Sequence, residues 1–301
     1  MTAIELVHGG ARAAIALAGA EVRRWTVGGS ELLWPGDPAI WAEISPILFP
    51  VVGWTRDGAR VDGKQYALGL HGFARFETFA PEASGPDFVR LTLRDNERTR
   101  AVYPFAFALA LEYRLTDDAL AMMIEVANPG ERPAPYACGL HPGFRWPLGD
   151  KGREGAFIRF AKPERAAVPE LAPGGLIRAG VRRIPVEGRD LPLSDALFAR
   201  DALCFLDCSS RALAFHDASG ASIVMEFPGF DHAALWTRPG APFVCLEAWT
   251  GYSDPDGFAG DLFEKPSMRV LAPGASARHE ARCVYRALQG GARARRVDED
   301  L

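Results

Sequence analysis

Cysteine, excess charge and long apolar runs are all scarce in this sequence. Five cysteines are dispersed over 301 residues, whereas the disulfide framework of a secreted protein is normally denser and even in number. The first five residues, Met-Thr-Ala-Ile-Glu, lack the basic and long apolar segments of a signal peptide. No uncharged apolar run approaches the roughly 18 to 20 residues needed to cross a bilayer. These absences predict a cytoplasmic protein with reduced thiols and no membrane partner.

The charge balance and the missing motifs exclude further classes of function. Lys and Arg number 34 against 38 Asp and Glu, so we do not expect a basic face that binds nucleic acid. The apolar fraction of 48% is too high for a disordered chain. The sequence contains no Gly-x-Ser-x-Gly elbow, which disfavours acyl transfer. Cys204 and Cys208 form a C-x3-C pair without a second pair, so we do not expect zinc.

Turn-forming residues and short alternating segments are abundant instead. The chain has 31 glycines and 23 prolines. Residues 89–94 alternate apolar and polar side chains, a pattern typical of a half-buried strand. Asp62-Gly63 stands between two short extended runs and predicts a hairpin turn. Further predicted strands are residues 105–114, 120–127, 213–216, 222–227 and 282–285.

Helical patterns are rare, and residues 194–200 are the one short helix that we predict. Evenly spaced strands with turns between them predict an all-β antiparallel sandwich or barrel. No shift in composition marks a linker, so residues 1–288 are predicted to form a single domain. The polar segment 289–301, with glycines at 290 and 291, is predicted to be a flexible tail. We expect a monomer or a homodimer.

Two of the six histidines lie on similar turns. His71 stands in Gly-Leu-His-Gly-Phe at residues 69–73, and His141 stands in Gly-Leu-His-Pro-Gly-Phe at residues 139–144. Pro142 restricts the preceding histidine to an extended conformation. An imidazole on such a rigid corner suits proton transfer, because its ordinary pKa of about 6.5 lies near physiological pH. The alternative for each is a structural histidine that binds a turn carbonyl.

Glu247 interrupts an apolar run, Phe-Val-Cys-Leu-Glu-Ala-Trp at residues 243–249. A carboxylate in such surroundings is costly unless it is paired, and partial burial would raise its pKa and make it a stronger base. Trp249 is predicted to project to the same side and to offer a stacking face for a sugar ring. The alternative is an edge strand that points Glu247 into solvent. A metal triad of the two histidines and this glutamate is not favoured, because no His-x-x-His spacing occurs.

These motifs, taken together and in this order, resemble the aldose 1-epimerase (galactose mutarotase) family, and most closely a divergent, less characterised branch of it. The resemblance runs from Pro-Ile-Leu-Phe-Pro-Val-Val-Gly at residues 46–53 through the two histidine turns and the Glu247 segment. It ends near Leu-Ala-Pro-Gly at residues 271–274 and covers roughly residues 10–285.

The resemblance implies a large antiparallel β-supersandwich with a sugar cleft on its concave face and no cofactor. It implies that the α and β anomers of an aldose are interconverted through ring opening. Glu247 then corresponds to the general base that takes the O1 proton, His141 to the general acid that protonates the ring oxygen, and His71 to a hydrogen-bond donor. The residues expected to contact the sugar are Arg75, Asp201, Trp249, Phe144 and Trp54.

Two departures from the family pattern bear on the substrate. Trp54 stands where the family commonly has an arginine, and Ala248 follows the catalytic glutamate where this branch often has a proline. Arg75 is a hypothetical replacement for the missing cation. A second branch of the family acts on hexose 6-phosphates, and Arg56, Arg75 and Arg145 are the candidates for phosphate contacts.

Other classes of function remain open at the level of sequence. A non-catalytic carbohydrate-binding sandwich would use tryptophans as stacking platforms, with Trp54, Trp146, Trp236 and Trp249 as candidates. A glycoside hydrolase would need a second carboxylate, for which Asp201 and Asp231 are candidates. A structural or regulatory protein with a degenerate cleft is the third alternative.

Overall fold

The structure is a computed structural model that describes residues 2–287. The predicted tail 289–301 lies outside the described residues. Within them the chain forms mostly strands. The strands of the first half are β1 (Ala3–His8), β2 (Ala11–Ala16), β3 (Val22–Val27), β4 (Ser30–Glu31), β5 (Ile47–Leu48), β6 (Ala59–Val61), β7 (Lys64–Tyr66), β8 (Ala80–Ser84), β9 (Phe88–Arg94), β10 (Ala108–Leu115), β11 (Ala119–Ala127), β12 (Ala134–Tyr136), β13 (Gly139–Leu140) and β14 (Gly143–Arg145).

The second half contributes eleven more strands and one of the two short α-helices. The strands are β15 (Phe157–Phe160), β16 (Ala167–Leu171), β17 (Ile177–Arg183), β18 (Asp190–Pro192), β19 (Leu203–Phe205), β20 (Ala212–His216), β21 (Ser222–Glu226), β22 (His232–Trp236), β23 (Phe243–Trp249), β24 (Arg269–Leu271) and β25 (Ser276–Arg286). The helices are α1 (Glu97–Val102), α2 (Asp195–Phe198) and a 3-10 helix (Ala74–Phe76). Among the described residues, no helix is long and apolar enough to span a membrane.

Two antiparallel sheets dominate the fold. The larger has nine strands in the order β18-β15-β20-β21-β25-β11-β10-β9-β8. The smaller has the order β19-β22-β23-β13-β5, with β14 also paired to β23. Alternate residues of both sheets enter one hydrophobic core, for example Leu91 of β9, Leu111 of β10 and Leu246 of β23. The expected all-β antiparallel sandwich is therefore confirmed.

The predicted strands appear at nearly the predicted places, because their alternation matches the two faces of a sheet. Val89 and Leu91 are buried while Arg94 is exposed. Asp62 and Gly63 have φ angles of 52° and 74°, as expected for the turn that joins β6 and β7. The predicted helix over 194–200 appears as α2.

Helix α1 was not predicted from sequence. Its six residues carry no amphipathic repeat, and a capping box defines its start. The Asn96 side chain accepts from the Thr99 backbone at 3.1 Å, and the Thr99 hydroxyl accepts from the Asn96 backbone at 2.9 Å.

Candidate active site

Strand β23 carries Glu247 into the middle of the smaller sheet. The strand is paired with β22 on one side and with β13 and β14 on the other. Leu246 and Ala248 point into the core, so Glu247 and Trp249 project to the opposite face of the sheet. Glu247 is only 1% exposed, which excludes the alternative of a solvent-facing edge strand.

His141 reaches Glu247 because its turn interrupts the strand that runs alongside β23. Leu140 at the end of β13 pairs with Ala248, and Gly143 at the start of β14 pairs with Cys245. His141 and Pro142 lie between them. Nε2 of His141 is 3.2 Å from Oε2 of Glu247. The imidazole and the carboxylate are therefore within hydrogen-bonding distance.

Backbone groups of residues 49–53, the segment that precedes β6, make three hydrogen bonds with His71. His71 has a φ angle of 59°, and its N–H donates to the Gly53 carbonyl at 2.9 Å. The Gly53 N–H donates to Nδ1 of His71 at 3.0 Å, and Phe49 donates to the His71 carbonyl. Gly53 has a φ angle of 71°, and a Cβ there would lie 2.0 Å from Oγ of Ser253. Because Nδ1 accepts, the neutral imidazole carries its proton on Nε2.

Burial shifts the pKa of all three groups toward their neutral forms. Burial is the largest cause of the rise in the pKa of Glu247 well above its ordinary value; a hydrogen bond from Trp249 opposes it and Asp201 adds to it. Burial lowers the pKa of His141 to about 3 and that of His71 well below 6.5. The expected rise for Glu247 is confirmed. The expectation that the histidines titrate near neutrality is wrong, because the sequence does not show how dry their turns are.

The three side chains share a cleft of about 280 Å³ on the outer face of the smaller sheet. The rings of His71 and His141 are perpendicular, with centroids 5.7 Å apart. The indole of Trp249 donates to Oε2 of Glu247 at 3.1 Å. The aromatic part of the wall consists of Trp41, Trp54, Trp236 and Trp249. Polar groups at the floor of an aromatic cleft are typical of a small-molecule site.

The cleft also brings together most of the residues expected to contact a ligand. Arg75, Asp201, Trp54 and Trp249 all line it. Phe144 does not. It pairs with Val244 in the sheet and is 1% exposed, with its ring packed edge-on against Trp25 in the core. The prediction of a ligand contact for Phe144 is therefore wrong, because the side chain faces the interior of the sandwich.

Comparison with known proteins identifies the family. A family model described as aldose 1-epimerase matches residues 2–283. The chain belongs to the aldose 1-epimerase family. Protein LacX (chromosomal) of Lactococcus lactis subsp. lactis is 31% identical over 258 residues, which cover 81% of this chain and 86% of LacX.

Solved structures of aldose 1-epimerase type agree with the fold. A galactose mutarotase-like protein from Lactobacillus casei ATCC 334 has a TM-score of 0.88 and 26% identity, over 95% of this chain and 100% of its own. A galactose mutarotase related enzyme from Lactobacillus acidophilus has a TM-score of 0.87 and 27% identity, over 95% and 98%. The family and the fold expected from the sequence are both confirmed.

Several residues of this aldose 1-epimerase cleft had no signal in the sequence. Glu43 and Trp41 lie in an irregular loop, where no alternation indicates which way a side chain points. Gly175 lies at the tip of the β16–β17 hairpin, and a Cβ there would be 3.1 Å from the Trp54 ring. These residues join the cleft only through long-range folding.

Other candidates are placed outside the cleft. Arg56 is half-exposed and lies 3.8 Å from Asp57, and Arg145 does not line the cleft. Asp231 forms ion pairs with Arg211 and Arg269. A further candidate platform, Trp146, is buried in the core.

The part of the chain that the structure describes shows no metal-ligand geometry. There, no group of three or more His, Cys, Asp or Glu side chains is arranged to hold a metal ion. A larger hollow of about 690 Å³ lies on the outer face of the nine-stranded sheet, lined by alanine, methionine and charged residues but by no described histidine. The three candidate catalytic residues, Glu247, His141 and His71, all line the smaller cleft.

Proposed function

We propose that this member of the aldose 1-epimerase family is a mutarotase that interconverts the α and β anomers of a free aldose. The observation that carries the proposal is the contact of 3.2 Å between Glu247 and His141 at the floor of a cleft of sugar-like size. Anomer exchange needs one proton removed from O1 and one delivered to the ring oxygen, and a paired carboxylate and imidazole supply both.

The proposed reaction opens and recloses the sugar ring. The Glu247 carboxylate takes the proton of the O1 hydroxyl while the protonated His141 imidazole gives a proton to O5, and the C1–O5 bond breaks. The product is an open-chain aldehyde. Rotation about C1–C2 presents the other face of the carbonyl. Glu247 then returns its proton to O1 and His141 takes the O5 proton as the ring closes.

The pair passes a single proton between two states of equal net charge. The ring-opening step starts with a carboxylate and an imidazolium and ends with a carboxylic acid and a neutral imidazole. Burial raises the pKa of Glu247 and lowers that of His141, which favours the second state. Bound sugar must therefore stabilise the charged state through its own hydroxyl groups.

His71 acts as a hydrogen-bond donor in this proposal. Its Nδ1 accepts from the Gly53 N–H at 3.0 Å, which leaves the proton on Nε2. Burial, followed by the charges of His141 and Arg75, lowers its pKa. A histidine that stays neutral holds a sugar oxygen without competing for the transferred proton.

The charges of the cleft favour a free aldose over a hexose 6-phosphate. Among the described residues, Arg75 is the one cation that lines the cleft, and it is already paired with Glu43. Arg56 and Arg145, the other candidates for phosphate contacts, lie outside. A phosphoryl group normally requires several free donors.

The decisive experiment compares the wild type with Glu247→Gln in anomer-resolved NMR and polarimetry, using free hexoses, pentoses and their 6-phosphates. We expect the variant to fold and to lose about a hundredfold or more of its rate, because a positioned proton carrier is lost. Glu280→Gln, an exposed carboxylate on the nine-stranded sheet, is the control.

Two results would overturn the proposal. One is a Glu247→Gln rate close to that of the wild type. The other is a wild-type rate no faster than buffer for every sugar; if sugars then still quench tryptophan fluorescence, the protein is a carbohydrate-binding sandwich.

A further inference from the structure

Glu43 is a carboxylate in the cleft to which the proton-transfer steps assign no role. It lies in the loop between β4 and β5 and forms part of the cleft wall. Its neighbours Ile44 and Ser45 donate their backbone N–H groups to one oxygen of Glu21, at 2.7 and 2.9 Å. The loop is therefore anchored, and Glu43 has a defined position.

At this position, Glu43 forms an ion pair with the guanidinium of Arg75. Nη1 of Arg75 donates to Oε2 of Glu43 at 3.1 Å, and Nη2 donates to the Leu70 carbonyl at 3.0 Å. The side chain of Glu43 is 32% exposed and that of Arg75 is 12% exposed. The carboxylate is thus the more accessible half of the pair.

The other charged side chains of the cleft also disfavour an anionic ligand. Besides Glu43, the carboxyl group of Asp201 lines it. The Glu247–His141 pair carries no net charge in either of its two states, and Arg75 is the one Arg or Lys side chain that lines the cleft among the described residues. An anionic ligand therefore meets carboxylates while the charge of the arginine is already compensated. Like charges repel strongly where water is partly excluded.

We propose that Glu43 is a specificity-determining residue: by pairing with Arg75 it restricts the cleft to uncharged aldoses and rejects their anionic forms, the uronic acids and sugar phosphates. The proposal rests on the proposed function only in that the cleft receives an aldose. Without the charge of Glu43, Arg75 becomes available to an anionic group.

The test uses Glu43→Gln, which keeps an oxygen that accepts from Arg75 and removes the charge. The ligands are matched pairs that differ in one group, glucose against glucuronate and galactose against galacturonate, with glucose 6-phosphate as a third anion. Binding is measured by quenching of the cleft tryptophans and anomer exchange by NMR. Glu43→Ala is the second variant, and circular dichroism checks the fold of each.

A matched control separates local charge from net charge. Glu82 pairs with Arg90 at 2.5 Å on the nine-stranded sheet, so Glu82→Gln changes the net charge by the same amount outside the cleft. All proteins are compared at one ionic strength, because exposed charges are screened by salt.

We expect the wild type to bind each hexose more tightly than its uronate. In Glu43→Gln the ratio of the two dissociation constants should move toward the uronate by about tenfold or more, and in Glu82→Gln it should stay as in the wild type. Glu43→Ala should move it in the same direction.

The proposal is overturned if the wild type binds uronates as well as hexoses, if it binds neither, or if Glu43→Gln keeps the wild-type ratio. An equal shift in Glu82→Gln also overturns it. If no protein accelerates anomer exchange but the binding ratio shifts as expected, the proposed mutarotation fails and the role of Glu43 stands.

Discussion

At the scale of single residues, the surroundings of Glu247 set its pKa. Burial raises its pKa, and a hydrogen bond of 3.1 Å from the Trp249 indole limits that rise. In the proposed reaction, the Glu247–His141 pair works with one proton. As pH rises through the raised pKa of Glu247, the pair loses that proton and O5 can no longer be protonated. Activity should therefore fall on the alkaline side.

The Trp249→Phe substitution tests how far the hydrogen bond from Trp249 offsets the effect of burial on the pKa of Glu247. It removes the hydrogen bond that lowers the pKa of Glu247, so that pKa should rise. We expect the alkaline limb of the kcat/KM profile to move to higher pH, as measured by polarimetry over a series of buffers. Trp236→Phe removes another indole of the cleft without a bond to Glu247. An equal displacement in that control, or a displacement to lower pH in Trp249→Phe, would contradict the account.

Single residues were predictable where they broke a local pattern. Glu247 interrupts an apolar strand, and the two histidines stand on glycine-rich turns. The prediction for Phe144 was wrong because the face to which its side chain points depends on the register of β14 against β23. Phe144 pairs with Val244, and both side chains belong to the core. Register between strands a hundred residues apart is not written in either segment alone.

At the scale of structural elements, a buried ion pair holds one wall of the cleft. Nζ of Lys265 lies 2.6 Å from Oδ1 of Asp254, and the two side chains are 1% and 3% exposed. The other carboxylate oxygen accepts from the Arg56 backbone, and the Asp254 N–H donates to the Trp54 carbonyl. The pair thereby fixes the segment that carries Trp54.

Lys265→Met should destabilise the protein by about 3 to 5 kcal/mol, because it leaves a buried carboxylate without its cation. The double variant Asp254→Asn/Lys265→Met removes both charges and should recover part of that loss. Urea unfolding at pH 7 measures the free energies. Losses that simply add in the double variant would show that the two charges do not interact.

The sequence predicted some secondary-structure elements better than others. The long strands of the nine-stranded sheet follow from alternation alone. The strands β13 and β14 are two and three residues long, too short for any period to show. They exist because β23 offers them a partner.

At the scale of the whole molecule, the interior contains histidines that must stay neutral. His279 in β25 is 1% exposed, with Nδ1 3.0 Å from the Gly229 carbonyl and Nε2 2.9 Å from the Tyr136 hydroxyl. Burial is the main reason that its pKa is lowered. Below about pH 6.5 the unfolded chain binds a proton that the folded chain does not. The free energy of unfolding therefore decreases as the pH is lowered.

His279→Gln should remove this contribution. Between pH 7.5 and 5.5 we expect the wild type to lose up to about 1.4 kcal/mol more unfolding free energy than the variant. Urea titrations at the two pH values measure the difference. His8→Gln, in β1, controls for the loss of an imidazole elsewhere. Parallel losses in the wild type and His279→Gln would show that His279 is not responsible.

Strand β23 pairs with both β13 and β14 on one side, and this arrangement separates the geometry of the Glu247–His141 pair from the composition of the cleft rim. Glu247 and the His141 turn are joined through the same ladder of backbone hydrogen bonds, whereas Trp54, Gly175 and Asp201 lie on loops and a hairpin tip around it. Under the proposed function, sequence change at the rim can therefore alter which sugar enters while the distance between Glu247 and His141 stays constant. Trp54 is one such rim position, outside the ladder that joins Glu247 and His141.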